Sequence, residues 1–434
     1  MAGMILLTAL GKQIYDLTHK DLYLGLLGLA EFAPAFVLMT VTGSLADRFD
    51  RRRIVQLGLL GQIVASGGLA WYATTDGTST APIFALVLVF GTCRAFVSPA
   101  IRALPPDIAP DGALPRLIAF NVACWQTAMI AGPVVAGFLY VGSVSWPFLA
   151  CMGLTAIGVV MIGFATPRRD RAGASGSLTG PDEAALIEVG ESDRPAELLD
   201  ALGERTAAQL SHEGPATETA DVPARKEGQF HQAFEGFRVI RRSPALLGAI
   251  SLDLFAVLFG GAVALLPAIA ETRLGVDAVG LGWLRAAGGI GAATVTLILS
   301  ARPISRRVGP IMFLAVALFG VFTIVLGLTH SFAVAFVSML LLSAADSVSV
   351  FVRGTLVPLV TPSSARGRVM AVEGVFIGAS NELGAFESGV AGQVLGTGPA
   401  VVLGGIATIG VVGIWTVLFP VLRRFDRFPE RPPD

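Results

Sequence analysis

Runs of apolar residues too long for any soluble fold dominate this chain. Eleven of them, at 22–45, 53–74, 81–101, 117–142, 144–166, 245–270, 278–300, 308–329, 331–354, 369–395 and 398–422, match the length of about 20 residues that a helix needs to cross a bilayer. A twelfth, at 1–16, is short. In hydrocarbon every backbone N–H and C=O must be bonded within the protein, which leaves helices and closed barrels. The runs are too long for barrel strands and do not alternate. The chain therefore reads as an all-α polytopic membrane protein with twelve transmembrane helices.

Composition supports this: 53% of residues are hydrophobic and 15% charged, against about a quarter charged in soluble domains. The mean hydropathy is +0.71. With a net charge of −1 and scattered basic residues, the chain carries no nucleic-acid footprint. Cys93, Cys124 and Cys151 sit inside apolar runs and read as small buried hydrophobes. The four histidines show no metal-ligand spacing, and no nucleophile–base set is visible. The expected cofactor, metal and catalytic residue are each none.

The first run starts at Met1 and meets Lys12 after eleven residues, with no basic leader or cleavage site. It reads as the outer part of a helix whose beginning lies upstream; a short helix is the other reading. Counting Lys and Arg near the spans, a cytoplasmic N-terminus places 25 on the inner side and 2 (Lys20 and Arg273) on the outer side. Both termini are thus expected in the cytoplasm. Residues 1–166 and 244–422 each hold six runs, and 423–434 form a cytoplasmic tail. Between the halves, 167–243 is polar and rich in Gly, Ser, Pro and Ala, as disordered linkers are, with a weak helix possible near 195–211. Its end differs. Phe230, Phe234 and Phe237 at helical spacing, followed by Arg238, Arg241 and Arg242, fit an amphipathic helix near 229–242 lying on the membrane face, or a plain continuation into span seven.

A shift of 252 residues lays Leu104, Pro106, Pro110, Arg116 and Ala119 on Leu356, Pro358, Pro362, Arg368 and Ala371. Same-direction repetition of six-span halves implies two pseudo-symmetric six-helix bundles with a site between them near the midplane, the transporter architecture.

The loop after span two reads Gly43-Ser44-Leu45-Ala46-Asp47-Arg48-Phe49-Asp50-Arg51-Arg52-Arg53, a turn with a carboxylate beside clustered arginines. Asp47 has the chemistry to accept bonds from those arginines or from a helix N-terminus; a purely topogenic basic loop explains the arginines but not the Gly and Asp. The run resembles motif A of the major facilitator superfamily, with Gly43, Asp47, Arg48, Arg51 and Arg52 in place and Asp50 where that motif has glycine. Gly132-Pro133-Val134-Val135-Ala136-Gly137 is similar to motif C of its antiporters, with Ala119, Ala128 and Ala136 replacing glycines. Segments such as Gly25–Glu31, Asp253–Gly261, Ala344–Val348 and Ile377–Gly389 resemble the enterobactin-exporter branch, which also contains multidrug exporters.

That resemblance implies a major facilitator fold and proton-driven export of a siderophore or other amphiphilic small molecule across an inner membrane. A multidrug exporter is the first alternative, and a non-transporting receptor or assembly protein the second. The partners expected are the small-molecule substrate, protons and the bilayer, with the chain working as a monomer. It further implies that Asp47 meets the N-terminus near Ser363 and Ser364, and that spans one, four, seven and ten line the cavity.

Charges at membrane depth are costly and point to function. Glu31, Arg94, Asp253, Arg285, Asp346, Glu373, Glu382 and Glu387 lie within the runs. Because the 252-residue shift sets Arg94 opposite Asp346, either Asp346 or Asp253 beside Arg94 is the expected proton switch; a static ion pair is the alternative. Glu31 and Glu387 are second-tier candidates. Glu373 and Glu387 share a face within about 40° and Glu382 points away. Glu373 is expected to be solvated, and Lys12 to snorkel. Trp71, Trp146 and Trp283 read as interface anchors.

Overall fold

The computed structural model describes residues 1–48, 50–75, 77–108, 114–164 and 229–428, without the side chains of 39–41, 43–48, 102–108, 114–115, 118–119 and 229–234. The described residues form helices and short connections. In the first half these are α1 (Ala2–Thr18), α2 (Asp21–Arg48), α3 (Arg51–Tyr72), α4 (Ala81–Ile108), α5 (Leu114–Gly142) and α6 (Trp146–Phe164). Then follow α7 (Gln229–Arg242), α8 (Pro244–Phe259), α9 (Ala278–Ala301), α10 (Val308–Leu328), α11 (Phe332–Val360), α12 (Arg366–Leu395), α13 (Thr397–Leu418) and the short α14 (Pro420–Arg423). The expected linker and its weak helix near 195–211 lie outside the described residues.

Among the described residues, 10 helical stretches can cross a membrane by length and composition. α1, with 17 residues, and α12, which carries Glu373, Glu382 and Glu387, are not among them. Leu57, Val64 and Trp71 form an exposed stripe at seven-residue spacing down α3, a surface that suits lipid. Trp146 and Trp283 are exposed too.

Two expectations need correction. Span seven is not one regular helix: after Phe259 the chain runs through a 3-10 turn at Gly261–Leu265 and a π turn at Ile269–Arg273. The break falls where Gly261 presses on α12, since a Cβ there would sit 2.6 Å from the Ser388 hydroxyl. Span ten, read as ending at 354, continues to Val360 with Pro358 inside it. Part of the expected tail is folded back, Gly309 N–H donating to Phe425 O at 2.8 Å and Arg307 N–H to Asp426 Oδ1 at 3.1 Å.

In the first half a buried cluster joins Leu6, Leu10 and Ile14 of α1 to Leu69, Phe90, Phe148 and Cys151. In the second, Leu252, Met312, Val352 and Val411 do the same for α8, α10, α11 and α13. Among the described residues, two pairs of long helices pack extensively across the halves, α2 with α12 and α5 with α9. Both pairs meet backbone to backbone. A Cβ on Gly25 would lie 2.9 Å from Phe386 Cα, one on Gly389 2.9 Å from Gly25 Cα, and one on Gly137 2.9 Å from Val279 Cα. A glycine at each position is a steric requirement of that approach. Along both pairs the close contacts run from the end holding residues 21, 142, 278 and 395 to mid-helix, as far as Phe32 against Gly378 and Met129 against Gly289.

Candidate functional site

Beside the crossing pairs lies a cavity of about 340 Å³. Its apolar wall includes Leu24, Leu27, Val257, Phe319 and Leu342; its polar groups are Glu31 from α2, Arg285 from α9, Ser343 and Asp346 from α11, and Asn381 and Glu382 from α12. Missing side chains make room for two of the charges. A Cβ at Gly28 would fall 2.6 Å from Glu382 Oε2, and one at Gly11 3.3 Å from Arg285 Nη2.

Arg94 of α4 reaches Glu31 of α2 in an ion pair; the Arg94 side chain is 48% exposed and that of Glu31 11%. Arg285 buries its Nε without a hydrogen-bond partner. Among the described residues, no ion pair is formed by Arg285, Asp346 or Glu382. The cavity thus holds three carboxyl groups and one guanidinium, with Arg94 reaching the first carboxylate from outside its lining.

A second set of charges is sealed in the helix packing. Arg353 of α11 bridges Asp253 of α8 and Glu373 of α12, with Arg353 Nε 3.2 Å from Glu373 Oε1 and side-chain exposures of 5%, 7% and 10% respectively. A third set ties the halves at the closed end. Lys12 Nζ pairs with Asp16 and donates to Glu271 Oε2 at 2.7 Å, Tyr140 OH donates to Asp16 Oδ2 at 2.7 Å, and Thr397 Oγ1 donates to Asp21 Oδ2 at 2.7 Å.

Arg94 is therefore not beside Asp346 or Asp253, as the repeat predicted. It is held by Glu31, because α2 and α4 are packed neighbours in the same half. Asp253 is instead held by Arg353. Glu373 is buried rather than solvated, because α12 turns it onto Arg353, and Lys12 is bound across the halves rather than snorkelling. Glu387 is half-buried and does not line the cavity. Gly132 and Gly137 lie against Met4 and Val279, and the carbonyl of Pro133 lies against Gly282. In the basic loop, Asp50 caps α3 by accepting from Arg52 N–H at 2.9 Å, and the Arg52 guanidinium donates to Gly163 O. An N-cap favours Asp over the glycine of the motif. The side chains of Asp47 and Arg48, and with them the expected contact near Ser363, lie outside the described residues.

Sequence comparison bears on what this arrangement serves. The family profile of the Major Facilitator Superfamily matches residues 1–331, and the chain belongs to that family of transporters. An enterobactin exporter of Escherichia coli is 24% identical across 98% of this chain and 89% of its own length. A staphyloferrin A transporter of Staphylococcus aureus is 22% identical over 28% of this chain, and a class C tetracycline resistance protein of Escherichia coli 30% identical over 33%. Those two matches span 31% and 34% of the relatives' lengths. Among solved structures, the nucleoside transporter NupG superposes with a TM-score of 0.65 at 11% identity, covering 96% of each chain.

Proposed function

We propose that this transporter is a proton-coupled exporter of an amphiphilic small molecule, siderophore-like in character, working by alternating access across an inner membrane. In this reading α1 and α12 complete twelve spans in two six-helix bundles, both termini are cytoplasmic, and the chain works as a monomer. The closed end is then the outer gate and the cavity belongs to the inward-facing state. The observation that carries the reading is the cavity between the halves, with an apolar wall for the body of a substrate and ionisable groups on α2, α9, α11 and α12.

Asp346 carries the proton in this scheme, with Glu31 and Arg94 as an exchangeable pair beside the substrate and Asp47 gating the inner side. Export of a cationic drug is the second reading, favoured by the excess of carboxyl groups over guanidinium in the lining and by the tetracycline resistance relative.

Mass-spectrometric comparison of medium and cell interior, deletion strain against parent, in iron-poor and iron-rich growth separates the two. An iron-regulated chelator lost from the medium and retained inside is the expected result. Unchanged metabolites with raised drug sensitivity would move the assignment to drug efflux. In everted vesicles, Asp346→Asn is expected to abolish proton-dependent export while leaving insertion intact. Normal export by this variant would remove Asp346 from the coupling step.

A further inference from the structure

Asp346, Ser349 and Arg353 lie at i, i+3 and i+7 on α11 and so share one helix face. Beside the first two lies a small hollow of about 10 Å³, bounded by Asp346 and Ser349 of α11, Asp253, Ala256 and Val257 of α8, and Val316 and Phe319 of α10. Ser349 is 2% exposed and its hydroxyl has no hydrogen-bond partner. A buried hydroxyl without a partner is disfavoured, and native structures usually resolve this with ordered water. A cavity of about 10–15 Å³ with two to four polar partners is what a single water needs. This hollow offers the Ser349 hydroxyl and the two carboxyl groups of Asp253 and Asp346.

The charge balance next door gives that water a task. Arg353 carries one positive charge against Asp253 and Glu373 together, so the sealed cluster is one negative charge in excess. Burial penalises an unbalanced charge. A proton on Asp253 neutralises the cluster and still leaves Arg353 paired with Glu373.

We infer that one water, held by Ser349, links Asp346 to Asp253 and forms a proton relay between the central cavity and the sealed Arg353 cluster. In the transfer, the Asp346 carboxyl gives its proton to the water and the water gives one of its own to the Asp253 carboxylate. One proton moves and the water is regenerated. The other charged groups sharing Asp346's cavity are Glu31 of α2, Arg285 of α9 and Glu382 of α12; α10 presents only Val316 and Phe319 to the hollow. Ser349 is thus a positioning residue, and the relay places the proton path in the second half, apart from the Glu31–Arg94 pair. The inference rests on the proton coupling proposed above.

Infrared difference spectra between acidic and neutral pH, on the purified full-length protein in lipid nanodiscs, test it without any substrate. The carboxyl band lost in Asp346→Asn is assigned to Asp346. The relay requires that this band shift in both Ser349→Ala and Asp253→Asn, and be restored towards the wild-type position in Ser349→Thr. It also requires a water O–H band that moves in H2(18)O and vanishes in Ser349→Val, in variants whose melting temperature matches wild type. An Asp346 band indifferent to Ser349→Ala and Asp253→Asn, or an Asp346 that takes up no proton, overturns the relay. Because no transported compound enters the measurement, its outcome is separate from that of the export experiment.

Discussion

The two halves handle buried charge in opposite ways. In the first, Glu31 and Arg94 form a pair with one member open to its surroundings; in the second, Arg353, Asp253 and Glu373 are all buried. A pair with one open member gives up that member at less cost than a fully buried pair does. A sealed one resists the loss of any member, because each remaining charge stays buried. In the proposed scheme, substrate chemistry belongs with the open pair and cavity, and protons move through the sealed cluster without parting it.

The strongest way to break this comparison is Arg353→Met. It leaves two carboxylates buried without a counter-charge and is expected to lower stability by about 3–5 kcal/mol, read as a fall in melting temperature of the detergent-purified protein; adding Glu373→Gln should recover part of it. Unchanged melting would mean that the cluster is hydrated and no different from the first-half pair. Next comes Gly137→Leu, which drives a side chain into Val279. Overpacking of about 1–3 kcal/mol is expected, visible as a longer distance between spin labels at positions 141 and 276. A wild-type distance would show that α5 and α9 yield locally.

Lys12→Met removes both ion pairs of a partly buried lysine. About 1 kcal/mol is expected, seen as faster modification of a single cysteine placed at the exposed position 17. The smallest stability effect sharpens the contrast. Glu31→Gln removes the buried carboxylate and leaves only the half-exposed Arg94 unpaired; it should change melting by about 0–1 kcal/mol while lowering export of the compound identified by metabolite comparison. A melting loss as large as that of Arg353→Met would erase the difference between the halves.

Much of this arrangement is legible from apolar runs, because hydrocarbon constrains backbone more strictly than water does. The helices, and the presence of Asp253, Asp346, Glu31 and Arg94 at depth, follow directly. Their partnerships do not. The 252-residue repeat sets Arg94 and Asp346 at equivalent places in opposite halves, but equivalence under a pseudo-axis is not contact, and Arg94 turns to its packed neighbour α2 instead. Arg353 sits one residue short of the end of the apolar run at 354, and only the continued helix shows how deep it lies. Within a membrane bundle, neighbouring helices tolerate a proline such as Pro358, and the helix runs on to Val360. Ser349 carries no signal in sequence at all; only its unpartnered hydroxyl beside a hollow marks it.

The glycine contacts at the closed end set the manner of movement. Where α2 meets α12 at Gly25 and Gly389, and α5 meets α9 at Gly137, backbone rests on backbone with little side chain to compress between them. Such a joint has a hard stop and no cushion. A rocking half cannot pause slightly ajar without giving up the whole seam of van der Waals contact, so the seam behaves as a latch that is either home or sprung. In the proposed alternating-access scheme, the energy that springs it comes from elsewhere along the helices, from charges that gain or lose a proton or a ligand.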